Sequence, residues 1–166
     1  MAQTNVYITQ EGIVKFHSHA EHELIYATSN QLTGILDIDK KTFLFKINIA
    51  SFTGFNNALQ REHFNENYLE TAFYPQSAYA GKIIEDIDLQ KDGEYTVRTK
   101  GKLKIHGVEQ ECIIKSNVSC KKGKILIRSD FQVLLADYNI KIPRIVSDKL
   151  SPIIDVSINC VLLPKK

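Results

Sequence analysis

Along most of this chain apolar and polar residues alternate one by one. The longest run covers residues 95–105. Tyr95, Val97, Thr99, Gly101, Leu103 and Ile105 lie on one side, and Thr96, Arg98, Lys100, Lys102 and Lys104 on the other. A period of two predicts a strand with one buried face. Such a run spans about 37 Å at ~3.4 Å per residue, whereas typical strands hold ~5–6 residues. Cys112, Ile114, Ser116 and Val118 alternate back from Gly107. Ile125, Ile127, Ser129, Phe131 and Val133 follow after a turn at Lys121–Gly123, with Arg128, Asp130 and Gln132 opposite. Ile154, Val156, Ile158, Cys160 and Leu162 close the pattern, with Asp155, Ser157 and Asn159 facing out.

The first segments are shorter. Residues 5–9 and 12–19 read as a hairpin around Gln10-Glu11-Gly12. Residues 24–28 and 32–38 read as a second hairpin around Ser29-Asn30-Gln31. Residues 42–50 carry Phe43, Phe45, Ile47 and Ile49 on one face, and residues 79–84 form a less regular strand. Hairpin-length connections make neighbours antiparallel. Roughly eight to ten strands, each with one apolar face, predict an all-β closed barrel or a two-sheet sandwich. The strand lengths favour an elongated antiparallel barrel, whose closure removes the edges that long ribbons would expose.

The alternation stops once, at Ala58–Gly81. Ala58, Leu59, Phe64, Tyr68 and Leu69 recur near helical spacing. Asn56 or Asn57 is placed to cap the start, and Glu62 is near the first turn, where the helix dipole favours it. Tyr74-Pro75 then breaks the helix. The expectation is one short helical insertion around residues 57–70.

Length and composition add limits. The chain has 166 residues, which fits one domain, 1–166, with a core of its own. Hydrophobic residues make up 43% and charged residues 24%, as in ordinary globular chains. A net charge of +2 gives no case for nucleic acid or an anionic membrane surface. Lys121-Lys122-Gly123-Lys124 and Lys165-Lys166 read as a solvated turn and tail. No apolar run reaches the ~18 residues of a membrane helix. Cys112, Cys120 and Cys160 have no metal spacing. Cys160 reads as a buried hydrophobe, and Cys112 with Cys120 as a pair that a turn would have to bring together. The opening Met1-Ala2-Gln3-Thr4 fits either a genuine cytoplasmic start or an exported chain whose leader was replaced.

Candidate chemistry is sparse. His17-Ser18-His19 puts two imidazoles on one strand face, with His22 close behind. That spacing presents two metal ligands, but it equally suits a polar outer face at a strand end. The expectation is no metal and no cofactor, with His17, His19 and His22 the residues that would carry one. His63 and Glu66, with Glu62 and Glu70, form an acid/base set only if aligned; otherwise His63 and Glu66 tie the helix to the barrel rim. His106 reads as a turn or rim residue. Gly34, Gly54, Gly81, Gly93, Gly101, Gly107 and Gly123 are isolated and read as turn or bulge glycines, not a phosphate loop. No nucleophile elbow or H-E-x-x-H is present, so no catalytic residue is assigned. The lysines of 100–104 oppose the apolar face and lack interleaved aromatics, so no nucleic-acid partner is expected.

The inward faces converge on a lumen. Its expected lining is Phe43, Phe45 and Ile47, then Tyr95, Val97, Leu103 and Ile105, then Ile125, Ile127 and Phe131, and finally Val156 and Ile158. Phe64 and Tyr68 of the insertion would close one end. Alternation alone does not say whether such a barrel is filled by its own side chains or holds a ligand.

Three motifs carry a resemblance. EHFNENYLE followed by YP and YAGKI, then GKLKIHGVEQE at Gly101–Glu111, then SDFQVLLADYNIKIP at Ser129–Pro143, stand in the order of the YceI-like family. The match runs nearly end to end. Lys104, Glu109-Gln110 and Tyr79 depart from the family's usual residues. The resemblance implies a lipocalin-like barrel that binds long isoprenoid lipids, such as polyprenyl chains and isoprenoid quinones. On that implication the chain is a non-enzymatic carrier of a polyisoprenoid or similar amphiphilic lipid. Arg61 or Arg144 would then meet the head group. The resemblance also implies a periplasmic or otherwise exported bacterial protein and is compatible with a homodimer. Two other readings stand beside it: a protein-interaction or stress-response module with a filled barrel, and a metal- or haem-linked redox component.

Overall fold

The alternation of residues 95–105 folds as one strand that extends two residues further back. In the computed structural model, which describes residues 5–166, eight antiparallel strands close into one barrel. They are β1 (Val6–His19), β2 (Leu24–Asp37), β3 (Thr42–Asn48), β4 (Gln76–Ile83), β5 (Gly93–Ile105), β6 (Val108–Lys121), β7 (Lys124–Leu134) and β8 (Ile153–Pro164). Each strand pairs with the next in sequence, and β8 returns to pair with β1. The Met1–Thr4 opening, on which the expectation of a replaced leader rested, lies outside the described residues.

Ten strand-like segments in the sequence become eight strands because the first two hairpins do not exist. Gln10-Glu11-Gly12 is not a turn but an irregularity inside β1. The β1–β2 register shifts between Thr9 and Gly12 and again between Gly12 and Val14. Gly12 is needed there for room: a Cβ on it would sit 2.9 Å from the Leu32 Cβ and 3.0 Å from the Cys160 Cβ. Ser29-Asn30-Gln31 likewise lies within a continuous β2. Such bulges bend long strands, and bending is what a small barrel requires of them.

Three of the glycines read as turn or bulge residues lie in mid-strand, as the alternation had placed Gly101. Gly81 of β4 and Gly101 of β5 face each other in register. A Cβ on Gly81 would lie 2.2 Å from the Lys100 carbonyl oxygen, and one on Gly101 2.3 Å from that of Ala80. The two backbones touch where side chains would hold them apart. Gly34 of β2 lies under the Phe45 ring. The lysine stripe of β5 is exposed as expected and faces acids on β6: Lys102 is opposite Glu111 and Lys104 opposite Glu109.

The two ends of the barrel differ. At one end the connections β2–β3 and β6–β7 are tight turns. At the other lie the β1–β2 turn, residues 49–75 between β3 and β4, the β5–β6 turn, and residues 135–152 between β7 and β8. The helical insertion is in the second group. It consists of α1 (Ala58–His63) followed by a π-helical stretch, Phe64–Tyr68. Asn57 is the cap: its side-chain oxygen accepts from the Gln60 amide at 2.8 Å. Glu62 lies outside the first turn of α1, so the dipole argument made for it does not apply.

Candidate functional site: the barrel lumen

Inward-facing residues form two clusters, one above the other along the barrel. The upper cluster, toward the long connections, surrounds an apolar cavity of about 210 Å³. The lower one surrounds a cavity of about 70 Å³. Phe45, Tyr79, Ile114, Phe131 and Ile158 border both cavities and form a shelf between them. The Phe43 ring lies 5.8 Å from that of Phe45 and 5.1 Å from that of Tyr79. Phe45 is fixed from the far side too, because a Cβ on Gly34 would meet its ring at 2.3 Å.

The expected lining divides along this shelf. Ile47, Phe64, Tyr68, Leu103, Ile105 and Val156 line the upper cavity. Phe43, Val97, Ile125 and Ile127 line the lower one, while Phe45, Phe131 and Ile158 border both. Tyr95 borders neither. Its hydroxyl donates to the Lys91 carbonyl at 3.0 Å under the β4–β5 connection, so it caps the lower end. Tyr95 lies on the inward side of the strand, but this first position of the run is beyond the cavity.

Four aromatic residues close the upper end, and the sequence pattern singled out only one. Phe64 stacks on Phe16 at 5.4 Å and meets Phe55 at 5.0 Å and Phe52 at 6.0 Å. Phe16 also meets Phe52 at 5.1 Å. Phe52 and Phe55 come from irregular backbone after β3, where no periodicity marks a facing direction. Phe16 shares one face of β1 with Val14 and Ser18, a spacing that the reading of residues 12–19 as half of a hairpin did not use. Pairs of this kind contribute ~0.5–1.5 kcal/mol each beyond area burial. Tyr68 lies beside them with its hydroxyl pKa raised by burial.

The helical stretch is tied to the rim by a pair other than the one expected. His63 and Glu66 are both exposed. The tie runs through His106, in the β5–β6 turn with φ 54°. Its Nδ1 donates to the Tyr138 carbonyl at 2.9 Å, and its Nε2 is 2.7 Å from a Glu70 carboxylate oxygen. The Tyr74 ring packs edge-on against it at 5.0 Å. One histidine thus joins the insertion, the β5–β6 turn and the β7–β8 connection.

Polar groups on the lumen wall are satisfied by one another. Thr99 donates to the Ile114 carbonyl at 3.1 Å, so the Tyr79 hydroxyl donates to Thr99 Oγ1, 2.8 Å away. Burial pushes the Tyr79 hydroxyl up to about 12. Ser116 and Ser129 bond to each other, and Ser18 Oγ accepts from the Ser151 amide at 2.9 Å. A wall so largely apolar, with these polar groups already bonded, selects for an apolar guest.

The two arginines proposed for a head group are at the rim and outside the cavity lining. Arg61 is exposed and donates to the Ala50 carbonyl at 3.1 Å, so it secures the insertion. Arg144 is exposed on the β7–β8 connection. The three cysteines are free, so Cys112 and Cys120 do not pair. Cys160 borders the lower cavity, and burial pushes its thiol up to about 12.

Outside the wall, His17 and His19 share a face as the spacing predicted, but His22 does not join them. His22 Nδ1 bonds Asp148 at 3.0 Å instead, and this bond lowers the Asp148 pKa. The third group beside His17 and His19 is Asp155 of β8, which only the barrel closure brings there.

A family model for the YceI-like domain matches residues 7–162. Among solved structures, the chain is similar to a polyisoprenoid-binding domain from Saccharophagus degradans implicated in plant cell wall breakdown. The two share 16% identity with a TM-score of 0.81, covering 98% of this chain and 100% of that one. BcnA of Burkholderia cenocepacia shares 12% identity with a TM-score of 0.75, over 90% of this chain and 95% of that one. The Campylobacter jejuni YceI protein shares 20% identity with a TM-score of 0.61, over 84% of each chain. At such identities the structural likeness shows the barrel fold. No curated protein matches the sequence significantly.

Proposed function

We propose, from the premise that the chain belongs to the YceI-like domain family, that it is a non-enzymatic carrier of a long isoprenoid or similar amphiphilic lipid. The observation that carries this reading is the apolar cavity of about 210 Å³ under the helical stretch, lined almost wholly by apolar side chains. A cavity of that size counts against a barrel filled by its own side chains. Each methylene moved from water into such a site contributes ~0.8 kcal/mol. A ~10-carbon stretch therefore supplies ~8 kcal/mol before the cost of association. The head group stays near the rim, where Arg144 is free to approach it.

Native mass spectrometry of the purified protein, followed by organic extraction, tests the proposal. The expected result is one isoprenoid lipid per chain, or uptake of one on titration with polyprenols and quinones. A protein that is empty and also refuses both classes refutes it.

A further inference from the structure

We infer that the outer face of the barrel carries a binding site for a divalent transition-metal ion, formed by His17, His19 and Asp155. One ligand atom from each lies within 4.8 Å of the other two. The site lies outside the lumen, and its three ligands need no lipid to be in place. His17 and His19 are two apart on β1, so both imidazoles leave the same face. Their rings stand edge to face at 4.5 Å. Across the closing seam, Asp155 of β8 is the register partner of His17. Its Oδ2 is 3.3 Å from His17 Nε2.

The carboxylate is held for this role. Gln132 Nε2 donates to Asp155 Oδ1 at 2.9 Å, which leaves Oδ2 turned toward the imidazoles. Second-shell bonds of this kind orient metal ligands and commonly change affinity ~10- to 100-fold. On the other side, the Tyr26 ring lies 5.5 Å from His17 and limits its rotation. All of these groups stand on hydrogen-bonded strands, so the arrangement is stiff. Ligation at ~2.0–2.1 Å from each atom asks only that the side chains draw together by an ångström or so.

Two imidazoles and one carboxylate suit Zn²⁺, Cu²⁺ or Ni²⁺ and not Mg²⁺ or Ca²⁺. With His17 and Asp155 each about one-third exposed, an ion can enter and a water can complete its coordination. A bound ion would staple β1 to β8. The inner side of that same seam, at Phe16, Ser18, Ile154 and Val156, lines the upper cavity. Occupancy therefore stiffens the wall beside the mouth.

The test is titration of the purified chain, stripped with chelator, with ZnCl₂ by calorimetry, with elemental analysis after dialysis and a thermal melt. The expected result is one zinc per chain and a higher Tm. His19→Ala and Asp155→Ala each weaken binding tenfold or more and abolish the Tm shift. Gln132→Leu weakens binding about tenfold. His22→Ala, at the histidine paired with Asp148, changes nothing. All four positions are at the surface or half-exposed, and melts without zinc check that each variant is folded. Absence of saturable binding, or binding that His19→Ala leaves intact, overturns the inference.

Discussion

Replacing Phe45 with alanine should join the two halves of the lumen and lengthen the tail that the barrel accepts. The upper cavity, about 210 Å³, is roughly half again the ~150 Å³ apolar cavity that takes up benzene. On the proposed function it would hold the first part of an isoprenoid tail, and the shelf would block the rest. Removing the Phe45 side chain opens the way to the lower 70 Å³ and adds the volume of the ring itself. One more five-carbon unit buried there is worth at most ~4 kcal/mol at ~0.8 kcal/mol per carbon, and about 2 kcal/mol if half desolvated. Affinity for the longer tail should therefore rise roughly thirty- to several-hundred-fold. The cost is stability. Phe→Ala removes ~3–5 kcal/mol in a full core, and Phe45 is only partly buried, so about 3 kcal/mol is expected. A domain with ~5–15 kcal/mol in hand survives that. The assay is a polyprenol series of increasing length against wild type and variant, with a melt to confirm folding. Wild-type affinity should level off at a shorter tail than that of Phe45→Ala. An identical plateau length in a folded variant would refute the shelf.

Three further outcomes follow from the rim and the core. Asn57→Ala removes the helix cap and should cost about 1 kcal/mol, seen as faster hydrogen exchange at the Gln60 amide with little change elsewhere. His106→Ala cuts both ties to Glu70 and Tyr138. It should cost about 2–3 kcal/mol and speed exchange through residues 58–70 and 135–140 together; exchange that speeds in only one of these segments argues against a shared tie. Alkaline stability carries the mark of buried groups. The Cys160 thiol is held at about 12 in the native barrel by burial, whereas in the unfolded chain it ionises near ~9. The unfolded state thus loses a proton that the native state keeps. Stability present below ~9 falls as pH rises toward ~12, by up to ~1.4 kcal/mol per unit. Burial likewise holds Tyr79 and Tyr138 up to about 12, and they add the same trend above ~10. Denaturant melts between pH 8 and 11 should show the decline, with a shallower slope in Cys160→Ala; equal slopes would mean that the thiol is hydrated.

The barrel was legible because β5 to β8 keep strict alternation and β5, β6 and β7 are joined by two-residue turns. Their inward residues are those read from the pattern, although Tyr95, at the first position of its run, lies beyond the cavity. What misled was chemistry shared by turns and bulges. Glycine, asparagine and glutamine at Gln10–Gly12 and Ser29–Gln31 look like reversals, but here they bend two strands that continue. The same applies to Gly34, Gly81 and Gly101, where the glycine provides closeness to a neighbour that no local window contains. At the site, Phe64 and Tyr68 were visible through helical spacing. Phe52 and Phe55 were not, because an irregular segment has no period to betray its inner side. The pairing of His17 with Asp155 was equally hidden, since it depends on the register of strands from opposite ends of the sequence. Arginine misled in the opposite way: charge near a mouth suggests a head-group contact, yet Arg61 is engaged with the Ala50 carbonyl.

The seam between β1 and β8 also sets the order in which the molecule can be finished. β2 to β7 find both partners next to them in sequence, whereas β1 and β8 each find the second only in the other. Until β8 docks, β1 and β7 both keep an open edge beside a continuous apolar face, the arrangement most prone to joining another chain. Contacts this distant in sequence also place folding on the slow side, in the millisecond-to-second range of β-rich domains. The hazardous interval is therefore the wait for the last strand, and a chain cut within β8 would remain in it.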